Sequence, residues 1–286
     1  MIHLMRLRKV FWLIMCGKNR QRDPEKDFPI LKKHSDIILE FAKNFVANRI
    51  EIKEDDHFAF MTLCFLTKQI EHFISLKVLI DAGQYSDSTV LARLMIEGMA
   101  TISWVSIEPI KRAYKWRNFC VVTDYRTLLQ KRKDRETYTI DEERSILERV
   151  KNEGNVYLKK RYKNYTDFAK LPEDPYKFRW QVDENDEDVL MASLFEAGQG
   201  EKMYGLYRSM SDWIHWNVPK IGLMITRNNE RIQFSANPIN EATMSMAAGI
   251  ASLHYLLYVA NEYLKLNSNN ELSLIENNYM SDLGIR

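Results

Sequence analysis

The sequence has few cysteines and almost no excess of charge of either sign, and both absences exclude classes of protein. Its three cysteines are odd in number, far apart and set among apolar neighbours, so they form neither a disulfide framework nor a zinc pattern. Such thiols are typical of a reduced, cytoplasmic protein. The 41 basic and 39 acidic side chains are well mixed and leave a net charge of +2. No long-range field therefore marks a duplex-DNA or membrane-surface binder, and any nucleic-acid contact has to be local.

Glycine-rich loops and long apolar runs are also missing. Without a phosphate loop or a dinucleotide fingerprint, the sequence predicts no nucleotide-driven chemistry and no cofactor. The apolar run from Val10 to Cys16 follows a basic start, but it is too short to span a bilayer and precedes no small-residue cleavage site. We therefore predict that residues 1–26 form an N-terminal arm and that the protein does not associate with membranes.

Helical periodicity is the main pattern that the sequence does contain. Apolar residues recur at helical spacing, and they predict a mostly α-helical bundle of about seven helices in a single domain over residues 27–266. The third and the last helix are apolar on most faces and are expected to be central. The predicted helices run from about Phe28 to Ile50, Asp55 or Asp56 to Asp81, Ser86 to Ile107, Pro109 to Arg132, Asp141 to Tyr162, Asp188 to Trp216 with a break at Gly198 and Gly200, and Asn237 to Leu266.

Three segments interrupt or follow these helices. Residues 164–187 combine two prolines with five aromatic side chains, which is typical of an ordered loop or lid. A small β-hairpin is predicted at about 221–235, since Asn228 and Asn229 tolerate the positive φ of a tight turn. The Asn- and Ser-rich tail, 267–286, is predicted to be weakly ordered.

One late helix carries a polar stripe that is the best candidate for chemistry. Tyr204, Arg208, Ser211 and His215 follow spacings of four, three and four, so a helix places all four on one face. An arginine can hold a phosphate, and a histidine exchanges protons near neutral pH. Together they could cleave RNA through its own 2′-hydroxyl without a metal. The alternative is a polar core network in which Ser211 bonds His215.

A charged pair, Arg93 and Glu97, lies four residues apart on the otherwise apolar third helix. Such a pair is normally satisfied internally, by its own ion pair or by another buried polar group. The functional alternative is that the pair faces Arg208 and His215 across the bundle. Glu97 would then orient His215, or Arg93 would add charge for a phosphate.

Metal and hydrolase sites are weaker alternatives. Glu54 with His57, and Asp212 with His215, have the spacing of a carboxylate-bridged metal site, but a di-iron bundle needs two Glu-x-x-His motifs and two further glutamates. No metal is therefore predicted. Ser211 with His215 lacks the nucleophile elbow and oxyanion-hole glycine that a hydrolase needs.

Arg208 and His215 are separated by six residues, and this spacing resembles the Arg-(four to six residues)-His motif of the HEPN superfamily. Many HEPN members are metal-independent ribonucleases of toxin and antiviral (phage-defence) systems. The resemblance implies that Arg208 and His215 are the catalytic pair and that a homodimer supplies a second pair. Many HEPN motifs have a polar Asn, Asp or His directly after the arginine, where this chain has Ser209.

The chain is also similar, over roughly Phe58 to Leu264, to the bacterial domain-of-unknown-function family 5677. The segments Leu91 to Glu97 and Tyr207 to His215 carry this likeness, which implies an all-helical fold and no established activity. The functional hypothesis is thus a HEPN-like endoribonuclease that acts on RNA as a homo-oligomer, with a neighbour-encoded protein as a possible partner. Its supporting residues would be Tyr204, Ser211, Arg93, Glu97 and Asp212. The alternative is a non-catalytic interaction or ligand-sensing module whose polar stripe is structural.

Overall fold

The computed structural model describes residues 23–164, 172–183, 187–198, 201–214, 225–228, 231–234 and 239–285. These residues are mostly helical, as predicted. Residues 1–22 of the predicted arm lie outside the described residues. The helices are α1 (Pro24–Ala47), α2 (His57–Asp81), α3 (Tyr85–Val105), α4 (Pro109–Asn118), α5 (Cys120–Asp134), α6 (Ile140–Glu153), α7 (Met191–Gly198), α8 (Glu201–Ile214), α9 (Ile239–Leu264) and α10 (Asn269–Asp282).

The described residues group into two compact units. Unit 2 consists of Asp55–Met61 and Glu108–Leu190, and it contains α4, α5 and α6. Unit 1 contains α1, most of α2, α3 and α7 to α10. The longer segment of unit 2, Glu108–Leu190, is thus inserted in the sequence between α3 and α7 of unit 1, and its shorter segment, Asp55–Met61, comes before α3.

The core of unit 1 is built on α3 and α9, which confirms their predicted central positions. Both helices bury most of their residues, including small ones that let the chains approach closely. Gly249 of α9 is such a position, because a Cβ there would lie 2.8 Å from the Phe73 ring of α2. A buried hydrogen bond of 2.9 Å, from the Tyr255 hydroxyl to Ser103 Oγ, also joins α9 to α3.

By length and composition, α9 is the one helix among the described residues that could cross a membrane. Within its most apolar window, 78% is buried inside the protein. Core helices of soluble proteins have the same character, so this feature is weak evidence for a membrane span.

Several helix ends differ from the predicted ones. The first helix begins at Pro24 rather than Phe28, because the Asp23 side chain caps it by accepting a hydrogen bond from the Glu25 amide. The predicted start of α2 is confirmed, since Asp56 Oδ1 accepts from the Ala59 amide. The predicted Ser86 cap of α3 is wrong: that helix already begins at Tyr85.

The C-terminal tail, predicted to be weakly ordered, instead contains α10. This helix buries Leu272 and Tyr279 against unit 1. The backbone oxygen of Leu272 lies 3.1 Å from His254 Nε2 of α9, and Asp282 lies 2.9 Å from His34 Nε2 of α1. These contacts order the tail against the rest of unit 1.

Two helices of unit 2 are shorter than predicted. The helix expected from Pro109 to Arg132 breaks at Phe119 into α4 and α5. The helix expected to reach Tyr162 ends at Glu153 and continues as two short 3₁₀ turns, Gly154–Tyr157 and Lys160–Tyr162. In both places the chain turns an aromatic ring into the core, and the Phe119 ring meets the Tyr157 ring edge to face at 5.2 Å.

The predicted loop or lid, 164–187, is described only in part. Its residues 172–183 form no helix, and an isolated antiparallel bridge pairs Tyr176 with Leu158. Both of those side chains are buried in the core of unit 2, which also contains Val121, Val122, Tyr125, Val150 and Tyr157. This part of the loop is therefore a component of the core.

Two short strands follow α8 in the sequence. Strand β1 (Ile225–Asn228) and strand β2 (Arg231–Phe234) pair antiparallel, with Ile225 opposite Phe234 and Asn228 opposite Arg231. The predicted turn residue Asn229 lies outside the described residues.

Candidate functional site

The packing of α3 against α8 brings Arg93 to two hydroxyl groups of α8. Arg93 Nε donates to Ser211 Oγ at 2.8 Å, and Arg93 Nη2 donates to the Tyr207 hydroxyl at 2.6 Å. The guanidinium carbon also lies 4.6 Å from the centre of the Tyr207 ring. We call Arg93, Glu97, Tyr207 and Ser211 the Arg93 cluster. It is a polar contact between two helices of unit 1.

The hydroxyl of Ser211 is engaged on both sides. Besides accepting from Arg93, it donates to the backbone oxygen of Tyr207, one turn earlier in α8, at 2.8 Å. A serine hydroxyl has one hydrogen to donate. Its proton is therefore held by α8 itself, which argues against Ser211 as a nucleophile.

Glu97 balances the charge of Arg93 only loosely. Its carboxylate lies 3.8 Å from Arg93 Nη2, so the predicted pair is present at ion-pair distance. The Glu97 side chain is 34% exposed and that of Arg93 is 18% exposed. Partly exposed pairs of this kind add little stability. The two hydroxyls therefore hold the guanidinium in place more than the carboxylate does.

An aromatic group borders the Arg93 cluster. Phe195 of α7 is fully buried, and its ring centre lies 5.8 Å from that of Tyr204 and 5.4 Å from that of Tyr207. The two tyrosine rings are themselves stacked at 6.1 Å. Tyr204, predicted as a supporting residue, thus belongs to an aromatic contact between α7 and α8.

The two predicted catalytic residues differ in how far the structure describes them. Arg208 directly follows Tyr207 and is exposed on α8. His215 and the side chain of Asp212 lie outside the described residues. The structure thus places Arg93 and Ser211 together, and Arg208 on the exposed side of the same helix.

Tyr207 is the residue of this site that sequence reasoning missed. A tyrosine one turn before Ser211 shares its helix face, so the spacing places the two side chains together but does not show that this face meets α3. The tyrosine is neither charged nor a usual proton-transfer group, so its residue type does not mark it as a candidate.

The described residues include one of the two pairs with metal-site spacing, Glu54 and His57. Among the residues that the structure describes, no group of three His, Cys, Asp or Glu side chains is placed to hold a metal ion. In the predicted Glu54 and His57 pair, His57 packs edge to face on Tyr114, and an Arg117 nitrogen lies 3.4 Å from its Nδ1. A guanidinium at that ring nitrogen disfavours a second cation there.

The fold and this site define a mostly helical protein in which an arginine of α3 is hydrogen-bonded to α8. Residues 59–232, more than half of the chain, match the profile of the Family of unknown function (DUF5677), so the chain belongs to this family. The matched range includes α3 and α8, and with them the whole Arg93 cluster. Comparisons with curated proteins and with solved structures gave no match.

Proposed function

We propose that the protein is a metal-independent, HEPN-like ribonuclease in which Arg208 binds the scissile phosphate and His215 transfers protons. The observation that carries the proposal is the exposure of Arg208 on a helix whose neighbouring residues are fixed by the Arg93 cluster. A guanidinium on a fixed helix can bind phosphate through two parallel hydrogen bonds.

The reaction needs no group beyond these side chains and the RNA. The 2′-oxygen attacks the phosphorus and its proton is removed, while the bond from phosphorus to the 5′-oxygen breaks and that oxygen is protonated. An imidazole, with an ordinary pKa of about 6.5, can serve in both proton transfers. Arg208 stabilises the charge that develops on the phosphate. The products are a 2′,3′-cyclic phosphate and a 5′-hydroxyl.

The proposal includes the cellular setting that the motif implies. The protein would act in the cytoplasm as a toxin or antiviral effector, and two copies would place two Arg208 and His215 pairs together. A protein encoded nearby could restrain it. The residues that would position the catalytic pair are Arg93 and Glu97 of α3 and Tyr204, Ser211 and Asp212 of α8.

The test is cleavage of labelled RNA by the full chain in the presence of EDTA. We expect His215→Ala to lower the rate by about 100-fold or more, the usual contribution of a general acid or base. We expect a loss of about the same size from Arg208→Ala, which removes the group that stabilises the charge on the phosphate. Arg49→Ala, which removes an arginine that is 90% exposed in unit 1, is the matched control and should cleave normally. Unchanged cleavage by His215→Ala would overturn the proposal.

A second candidate is a non-catalytic interaction or ligand-sensing module. The hydrogen bonds within the Arg93 cluster favour this candidate, because Ser211 and Tyr207 both accept from Arg93 inside unit 1. It predicts that the wild-type chain cleaves no RNA and that Arg93→Ala lowers only the melting temperature.

A further inference from the structure

Unit 2 contains a short run of positive charge that the proposed site does not use. Residues 159–163 read Lys-Lys-Arg-Tyr-Lys, and no acidic residue lies between Gly154 and Asn164. The run includes the 3₁₀ turn Lys160–Tyr162. Because the whole chain has a net charge of only +2, this is a local concentration of charge.

The backbone around this run is fixed to the loop 172–183. The Lys159 amide donates to the Pro175 oxygen at 3.0 Å, and the Lys177 amide donates to the Tyr157 oxygen at 2.8 Å. The two segments therefore run antiparallel. Lys160 lies two residues from the bridge between Leu158 and Tyr176, and Phe178 lies two residues from it on the opposite side. Along the direction of the chains they are therefore separated by about four residues, or roughly 13 Å.

Aromatic rings accompany the charges. The Arg161 guanidinium carbon lies 4.7 Å from the centre of the Tyr162 ring. Phe178 is 78% exposed, and Arg179 beside it is exposed as well. We call Lys160, Arg161, Tyr162, Lys163, Phe178 and Arg179 the basic-aromatic surface.

The exposure of Phe178 is imposed by its neighbours. Arg126 donates to the Lys177 oxygen at 2.8 Å, and Trp180 stacks on Trp116 at 5.1 Å with the planes 9° apart. Residues on both sides of Phe178 are thus anchored. A large apolar ring held in water is unfavourable, and such exposure often marks a binding site.

Acidic residues offset this surface only in part. Asp174 accepts from Arg126 through both carboxylate oxygens at 3.3 Å, so its charge is directed to another cation. Glu187 lies 3.8 Å from Lys160, and both side chains are more than 60% exposed, so the pair is weak. Within the described residues, neither carboxylate pairs with Arg161 or Arg179.

We propose that the basic-aromatic surface binds single-stranded RNA. Single-stranded nucleic acids are bound by cations that follow the phosphates and by aromatic rings on which bases stack, and this surface offers both within a few nucleotides' length. The choice of RNA over other polyanions rests on the proposed ribonuclease function. The surface would add affinity for the RNA substrate of that ribonuclease.

The experiment measures binding of a labelled 20-nucleotide RNA of mixed sequence to the full chain by fluorescence anisotropy, in EDTA. A His215→Ala background prevents cleavage. We expect Lys160→Glu with Arg161→Glu to weaken binding at least about ten-fold and to reduce the salt dependence by about 0.7 in the log-log slope per lost phosphate contact. Phe178→Ala should weaken binding by roughly five-fold or more through lost stacking.

Matched controls separate this surface from general charge. Lys43→Glu with Lys53→Glu changes the net charge equally at exposed positions of unit 1 and should bind as tightly as the wild type. Circular dichroism confirms that every variant is folded. Equal weakening by the control pair, or unchanged binding by the surface variants, would overturn the proposal. So would binding to phosphatidylserine vesicles without binding to RNA.

Different results would contradict RNA binding by the basic-aromatic surface and the ribonuclease function. If the wild type binds RNA through this surface but never cleaves it, the surface stands and the nuclease falls. If cleavage occurs and the surface variants keep an unchanged KM, the nuclease stands and the surface falls. A raised KM with an unchanged kcat supports both.

Discussion

At the scale of single residues, Arg93 carries a positive charge into a contact between two core helices. Neutral hydroxyls take its hydrogen bonds, and the nearest carboxylate, Glu97, stays at 3.8 Å. Hydrogen bonds from a charged group are worth more than those between neutral groups. The Arg93 cluster therefore combines a charge that a ligand could use with bonds that the fold needs.

Arg93→Ala is expected to destabilise the protein by about 1–3 kcal/mol, because the Tyr207 and Ser211 hydroxyls lose their charged donor. Arg208→Ala removes the same side chain at an exposed position of α8 and should change the free energy of unfolding by less than about 0.5 kcal/mol. Urea denaturation measures both. Equal effects of the two substitutions would contradict the assignment of Arg93 as a structural anchor.

At the scale of helices, small residues set how closely α9 can approach α2. Gly249→Ala would place a methyl group 2.8 Å from the Phe73 ring, so the ring must shift, and we expect a loss of about 1–3 kcal/mol. Gly205 of α8 has no atom within 4 Å of its would-be Cβ. Gly205→Ala should therefore stabilise the protein by about 0.5–1 kcal/mol, through helix propensity. Thermal melting distinguishes the two signs.

The docking of α10 gives a second test within one helix. Leu272 is fully buried, whereas Leu274 is 60% exposed. We expect Leu272→Ala to cost about 2–5 kcal/mol and Leu274→Ala less than about 0.5 kcal/mol. Similar losses from both, in chemical denaturation, would show that α10 is not docked as described.

The sequence predicted the central helices well and the boundaries less well. Helices α3 and α9 are apolar on most faces, which leaves only a buried position for them. The order of the tail was not predicted because many of its residues are asparagine or serine, although its apolar side chains from Leu272 to Leu283 recur at helical spacing. Contacts such as that of Leu272 with His254 order it. In the candidate site, the pairing of Arg93 with Glu97 followed from spacing. Its bonds to Tyr207 depend on tertiary packing that spacing does not encode.

At the scale of the whole molecule, one buried histidine links stability to pH. Burial of His254 lowers its pKa from 6.5 to about 4. The unfolded chain thus takes up a proton below about pH 6.5 that the folded chain excludes, so this contribution is fully present above pH 6.5 and is lost as the pH falls toward 4. The loss is about 1.4 kcal/mol per pH unit in that window.

His254→Gln removes this titration while its amide can still donate to the Leu272 oxygen. We expect the free energy of unfolding of the variant to fall less steeply than that of the wild type between pH 6.5 and pH 4. Carboxylates such as Asp282, whose pKa is lowered chiefly by hydrogen bonding to Lys33, act in both proteins and cancel in the comparison. Parallel curves would show that His254 is not excluded from protonation.

Because Glu108–Leu190 of unit 2 interrupts the sequence of unit 1, the ribosome completes unit 2 before unit 1. Every residue assigned to unit 2 has been synthesised once Leu190 is added, whereas the core of unit 1 needs α9 and α10, which come later in the sequence. Domains fold as units during synthesis, so unit 2 is expected to fold first. Until α9 has been synthesised, α3 lacks its main partner and exposes its apolar faces. The nascent chain is therefore expected to bind chaperones between the synthesis of α3 and that of α9.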